Sequence, residues 1–370
     1  MRSPAAVAHV APRGTARTWN PRVLPVALAV ALVACSSPAP ASPTGAAPAA
    51  PVGGAAPAAS APAGQPVTMT TLTLSLPSTS APTSALVIAE KEGFYARHGI
   101  ELETTLHQGG PPALQAMMAG AAELTMQITG TTLNAIANGA DIVIVAGQQG
   151  DPDYQLFARS EITSVPALDG RRLASADPGS ELNTLLRKTL AHYGLAPDHY
   201  DIVPVGSTGA RYGALTAGAV DGTLLSAPLT FDAETQGYRR LGTTTEAVPE
   251  YMFGTIAVRR DWARQNPELV VRFIRGYQDG LAWIYDPANR DKVIAHWVDI
   301  SKSSPDAAAE TYDQYVAGPL RGKVLPEQAR ISRTAMQAVI DLMTESNILQ
   351  RPLTVDEVVD LAYLEQASRR

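Results

Sequence analysis

Six short segments of this 370-residue chain bring hydroxyls and glycines together just ahead of helical patterns. They are Ser78-Thr79-Ser80, Gln108-Gly109-Gly110, Thr129-Gly130-Thr131, Asp177-Pro178-Gly179-Ser180, Gly206-Ser207-Thr208-Gly209 and Ser226-Ala227-Pro228. Hydroxyls and free backbone N–H groups at helix starts can hold a sulfonate, carboxylate or phosphate group. Candidate contacts are every residue of the first three segments, Asp177, Gly179 and Ser180 of the fourth, and Ser207 and Ser226 of the last two. Arg211, on the first turn of the helix after Gly209, is placed either to grip an anion bidentately or to lie in solvent. Tyr154 and Tyr212 are candidate walls for a ligand's tail. Taken singly, each hydroxyl is equally an N-cap; as a set opening on one cleft, they read as a binding site.

Catalytic chemistry has less to stand on. His98, His107, His192, His199 and His296 fall in no HExxH or other metal-ligand spacing. No serine sits in a G-x-S-x-G elbow, and Cys35 is the single cysteine of the chain. The expectation is a binding protein, not an enzyme, with no metal and no cofactor.

The elements that must position these loops alternate. From Thr68 the chain runs strand (69–77), helix (84–99), strand (100–106), helix (112–120), strand (123–128), helix (131–139) and strand (141–147). Such alternation predicts an α/β protein with parallel sheets covered on both faces, and ligands then sit beyond the carboxyl ends of the strands. The order occurs twice. His98-Gly99 is echoed by Tyr193-Gly194, and "AGAAE" at 119–123 by "AGAVD" at 217–221. Thr129-Gly130-Thr131 then falls opposite Ser226-Ala227-Pro228. Tyr154 to Arg159 is expected to leave the first lobe, and "YMFGTIAVRR" from Tyr251 to lead back. This gives one lobe from 67–161 with 251–370, a second from 162–250, and a region from 261 onward, with helices at 267–286, 288–300, 326–346 and 354–368, that covers the first.

The amino-terminal region carries a different signal. Arg2, Arg13, Arg17 and Arg22 precede an apolar run at 23–33 too short to span a bilayer. Leu32-Val33-Ala34-Cys35 resembles the lipobox of bacterial lipoproteins, which implies cleavage of residues 1–34 and lipidation of Cys35. Residues 36–66 hold no charge and no aromatic side chain. They are expected to form a disordered tether reaching up to about 100 Å when extended. Loss of four arginines and no acid turns 29 basic against 35 acidic residues into 25 against 35, a net charge of −10. Nothing basic remains to suggest nucleic acid.

The motifs "IAEKEGFYARHGIELE", "ALQAMMAGAAELT", "VPALDGRRLA", "AGAVDGTLLSAP" and "VRRDWARQNPELVVRFIRGYQDGLAWI" occur in this order. In that order and spacing the chain resembles type II periplasmic substrate-binding proteins of the alkanesulfonate, nitrate and taurine ABC-importer group. The thiamine-pyrimidine precursor binders and synthases belong to the same group; the synthase branch is marked by a cysteine-rich motif that this chain lacks. The resemblance implies two lobes joined by two crossing strands, with a C-terminal helical region. It also implies capture of a small, anionic solute at the loops named above and delivery to an ABC permease by a lipid-anchored, extracytoplasmic monomer. A TRAP-type receptor or a tethered sensor is the alternative.

Overall fold

A computed structural model describes residues 68–107, 109–176, 178 and 180–369. The leader, Cys35 and the tether lie outside these residues, as do Gln108, Asp177 and Gly179. Among the described residues no helix is long and apolar enough to cross a membrane.

β1 (Thr70–Leu76) leads to α1 (Ala81–Lys91), which starts where Ser80 Oγ accepts the Thr83 N–H at 3.4 Å and Pro82 occupies a position that needs no donor. The sequence predicts one helix over 84–99. Instead Gly93, at φ 73°, takes a left-handed turn that suits glycine, and α2 (Phe94–Arg97) begins afresh. Then follow β2 (Ile100–Leu106), α3 (Gly110–Met118), β3 (Leu124–Ile128), α4 (Thr129–Ala137) and β4 (Ile142–Gln149). Next come β5 (Gln155–Ala158), β6 (Arg171–Ser175), α5 (Glu181–His192), β7 (Tyr200–Pro204) and α6 (Thr208–Thr216). β8 (Gly222–Leu225), α7 (Leu229–Thr235), β9 (Arg239–Thr243), α8 (Thr244–Ala247) and β10 (Gly254–Arg259) complete the α/β part.

These strands form two five-stranded sheets, ordered β2-β1-β3-β10-β4 and β7-β6-β8-β5-β9, within one compact unit. The repeat read in the sequence is carried into bonding. At the start of β3, Glu123 accepts the Thr73 N–H at 2.7 Å while its own N–H reaches Thr73 O at 3.0 Å. At the start of β8, Asp221 accepts the Arg172 N–H at 3.0 Å and returns its N–H to Arg172 O at 2.7 Å.

Two expectations are corrected. The sheets are mixed: β10 is antiparallel to β3 and β4, and β5 is antiparallel to β8 and β9. Tyr154 to Arg159 does not belong with the first lobe either, because β5 pairs wholly within the second sheet. The chain therefore crosses before residue 155, earlier than the boundary at 161. Each sheet receives one strand from the crossing chain in the same slot, and an incoming strand from the other lobe arrives antiparallel. The two crossings lie side by side, the Phe253 N–H donating to Gly150 O at 2.9 Å and the Tyr251 N–H to Asp151 Oδ1 at 3.3 Å.

The C-terminal third is helical: α9 (Arg260–Gln265), α10 (Pro267–Tyr285), α11 (Arg290–Ser301), α12 (Pro305–Tyr315), α13 (Arg333–Glu345), α14 (Val355–Val358) and α15 (Ala362–Ser368). α12 has no counterpart in the sequence reading. The helix expected from residue 326 begins only at Arg333, and the last one is broken where Val359 bridges to Ile144 of β4. α10 packs on α1 and α2 through a shared apolar core that includes Leu86, Tyr95, Phe273 and Tyr277.

Candidate functional site

Between the two sheets lies a cavity of about 560 Å³, within the range of small-molecule sites. Starts of helices from both sheets open on it: Ser80 and Thr83 of α1, Gly110 of α3, Gly130 and Thr131 of α4, Ser180 and Glu181 of α5, and Ser207, Thr208 and Arg211 of α6. Met126, Ile128, Leu182, Val205, Phe253 and Met343 supply apolar wall. A second recess of about 250 Å³ shares Ser78, Ser80, Ser207 and Thr208 with it and adds Thr79, His107 and Ser226.

Of the predicted contacts, Ser78, Ser80, Gly109, Gly110, Gly130, Thr131, Ser180, Ser207 and Arg211 therefore meet at one cavity. Thr79 and Ser226 are in the neighbouring recess instead. Thr129 is not in the cleft: its N–H is spent on Phe253 O at 2.8 Å, and its hydroxyl turns into the core toward Thr255 at 3.5 Å. Tyr154 is on the wall, edge-on to Phe253 at 5.3 Å. Tyr212 is not; it packs beside the Leu215 and Leu225 core, and its hydroxyl takes a hydrogen bond from Gln236. Three serines do serve as caps. Ser80, Ser180 and Ser207 each accept an N–H three residues on, while still facing the cavity.

Arg211 is not solvated: it is 1 % exposed. Its Nε donates to Leu224 O at 3.2 Å, Nη2 to Leu224 O and Thr208 Oγ1 at 3.1 Å each, and Nη1 to Gly206 O. Tyr154 offers its ring 5.9 Å from the guanidinium carbon. No carboxylate of the described residues lies within ion-pair distance of it, and burial pulls its pKa down. A buried guanidinium held by two carbonyls and a hydroxyl, with no carboxylate, leaves a positive charge without a counter-ion, a costly state that an anion in the cavity relieves.

Glu181 escaped the sequence reading. It is 2 % exposed, stands on the first turn of α5, and its Oε2 accepts the Gly130 N–H at the start of α4, joining the two lobes across the cleft. Burial pushes its carboxyl up to about 8, against smaller opposing effects of Tyr251 and the Gly130 amide. Gly130 is glycine for space: a Cβ there would stand 2.5 Å from Glu181 Oε2 and 2.9 Å from Met343 Cε. The only hint in the sequence was an acid directly after Ser180, which looks like ordinary first-turn helix chemistry.

Three of the histidines are engaged elsewhere. His98 pairs with Asp279 at 2.7 Å, His199 with Asp169 at 3.0 Å and His296 with Glu92 at 2.8 Å. Among the described residues no cluster of three His, Cys, Asp or Glu could hold a metal ion.

Two mixed sheets, each completed by an antiparallel strand from the crossing chain and enclosing a cleft lined by helix starts, define a type II periplasmic-binding-protein fold. Residues 81–289, more than half the chain, match the family described as NMT1/THI5 like, and the chain belongs to that family. The alkanesulfonate-binding protein SsuA from Xanthomonas axonopodis pv. citri, bound to MOPS, superposes with a TM-score of 0.65 at 22% identity, covering 81% of this chain and 100% of that one. A mutant of the desulfurization enzyme DSZB in complex with biphenyl-2-sulfinic acid gives 0.59 at 17% identity, over 80% and 98%. Such identities establish the fold alone. In sequence, the bicarbonate transport ATP-binding protein CmpC of Synechocystis sp. is 24% identical over 226 residues, 55% of this chain. The match spans 33% of that relative's length.

Proposed function

We propose that the protein is the solute-binding component of an ABC importer and that it captures a small organic anion, of sulfonate or carboxylate type, between its two lobes. The observation that carries this reading is Arg211, buried on the cavity wall with no carboxylate partner among the described residues. Helix starts from both sheets add oriented N–H groups and hydroxyls, and charge-assisted hydrogen bonds to such donors are strong in a water-poor site. The relatives' names supply further support, since alkanesulfonate, a sulfinic acid and bicarbonate are all oxyanions. Capture without chemistry is favoured over the enzyme reading, because the cavity serines at 80, 180 and 207 are engaged as helix caps.

Isothermal titration with short alkanesulfonates and carboxylates tests the reading. The wild-type protein should bind at least one of them with saturable heat. Arg211→Ala should weaken that binding by roughly 2–5 kcal/mol, the usual cost of removing one partner of a buried charge pair. Equal affinity in the variant, or a cognate solute that carries no negative charge, would overturn it.

A further inference from the structure

Gln149, the last residue of β4, lines the cavity from the first crossing. Strand alternation turns its neighbour Gln148 the other way, where Nε2 donates to Pro82 O at 2.6 Å. Gln149 pairs with Gly254 of the second crossing, where a Cβ would stand 2.9 Å from Gln149 Cβ. Its amide is fixed from behind. Nε2 donates to Asp153 Oδ1 at 2.7 Å, and Asp153 Oδ2 takes the Tyr315 hydroxyl of α12. Burial lifts the Asp153 carboxyl to about 6, against smaller opposing effects of Tyr315, Gln149 and the Ala227 backbone. At neutral pH it is therefore ionised and accepts only, so the amide nitrogen must face it and the amide oxygen is left on the cavity side. Gln149 is 4 % exposed, yet its Oε1 has no hydrogen-bond partner among the described residues and is not enclosed by protein, unlike Oε1 of Gln148.

A carbonyl oxygen accepts hydrogen bonds and donates none. Beside a sulfonate or carboxylate oxygen it repels; beside an alkyl tail it is stripped of water and left unpaired. The hydroxyls of Ser78 and Thr131, which share the cavity, can donate or accept and impose no such demand. A neutral hydroxyl suits the position better than an ammonium, because Asp153 is already bonded to Gln149 and Tyr315 while Arg211 adds positive charge to the same space. We propose that Gln149 sets the specificity of the cleft, its Oε1 accepting a hydrogen bond from a hydroxyl on the solute, so that the preferred solute is a hydroxyl-bearing sulfonate or carboxylate and not a plain alkyl one. This rests on the anion reading of the cleft and adds a second point of attachment to it.

Calorimetry at neutral pH tests this with two matched pairs in which a methyl replaces the hydroxyl at equal chain length. They are 2-hydroxyethanesulfonate with propane-1-sulfonate, and 3-hydroxypropane-1-sulfonate with butane-1-sulfonate. Wild type should bind the hydroxylated member of at least one pair about ten- to hundredfold more tightly, the effect of pairing a buried acceptor. 2-Methoxyethanesulfonate, which keeps the oxygen but has no proton to donate, should bind wild type no better than butane-1-sulfonate. Gln149→Met, which keeps the side chain's length and removes both polar atoms, should bind the two members of each pair within about twofold of each other. The wild-type ratios need no variant, so the proposal can fail without one. Equal wild-type affinity within both pairs, a methoxy compound bound as tightly as the hydroxyl ones, or an undiminished ratio in Gln149→Met would overturn the proposal and leave the anion reading standing. No binding of any of these sulfonates to wild type would overturn both.

Discussion

At the scale of single residues, the cleft separates side chains that build helices from side chains left for the solute. Ser180 Oγ accepts the Asn183 N–H at 3.2 Å and so closes the first turn of α5. Thr131, on the first turn of α4, makes no side-chain hydrogen bond among the described residues while facing the cavity. Ser180→Ala should therefore lower unfolding stability by about 1 kcal/mol, the ordinary cost of a lost N-cap. Thr131→Ala should leave stability within about 0.5 kcal/mol of wild type and weaken solute binding by roughly 1–3 kcal/mol through an unpaired anion oxygen. Denaturant unfolding and titration on the same preparations separate the two effects. A stability loss confined to Thr131→Ala would reverse the assignment. The hydroxyl loops were legible in the sequence because capping and anion binding demand the same residue types. That overlap is also why Thr129, whose N–H is committed to Phe253 O, was read as a contact. The burial of Arg211 and the reach of Glu181 to Gly130 depend on lobes that are distant along the chain, and no local pattern encodes them.

At the scale of elements, β2 falls on the residues that the sequence marked, Ile100–Leu106, because apolar and polar side chains alternate along it with strand periodicity. The misreadings have equally definite causes. α12 is rich in alanine and carries Thr311, Tyr312 and Tyr315 on its buried face, a weaker stripe than the leucines and valines of α10. The antiparallel placement of β5 and β10 is a property of the crossing and not of either strand's composition. α10 shows how packing overrides propensity. A Cβ at Gly280 would lie within 3.0 Å of Ala89 Cα on α1 and closer still to Ala89 Cβ. Alanine would gain up to about 1 kcal/mol of helix propensity but forces apart two buried helices, at a cost of about 1–3 kcal/mol. Gly280→Ala should thus be destabilised by about 1 kcal/mol net, read as a shift in denaturant midpoint at unchanged slope. A stabilised variant would mean that the α1–α10 contact yields more easily than its backbone approach suggests.

At the scale of the whole molecule, the repeated strand order, the two adjacent crossings and the Glu181 to Gly130 contact make one device. Each sheet presents helix starts to the same space, and the link across the cleft comes from one lobe's acid and the other lobe's amide. A ligand that takes hydrogen bonds from both sides favours the closed form by its differential contacts there. The duplicated topology could be read from the paired "AGAAE" and "AGAVD" segments, since an acid at the start of β3 or β8 ties down the neighbouring strand in both copies. The antiparallel insertion of β5 and β10 could not, because it is settled by how the lobes meet. The central claim is that an anion sits between the lobes against Arg211. A crystal structure of the protein with a bound alkanesulfonate tests this most directly. The account predicts sulfonate oxygens within hydrogen-bond distance of the Arg211 guanidinium and of at least one helix-start N–H or hydroxyl from the first lobe. A sulfonate bound outside this cavity, or held in it with Arg211 still bonded only to Gly206, Thr208 and Leu224, would contradict it.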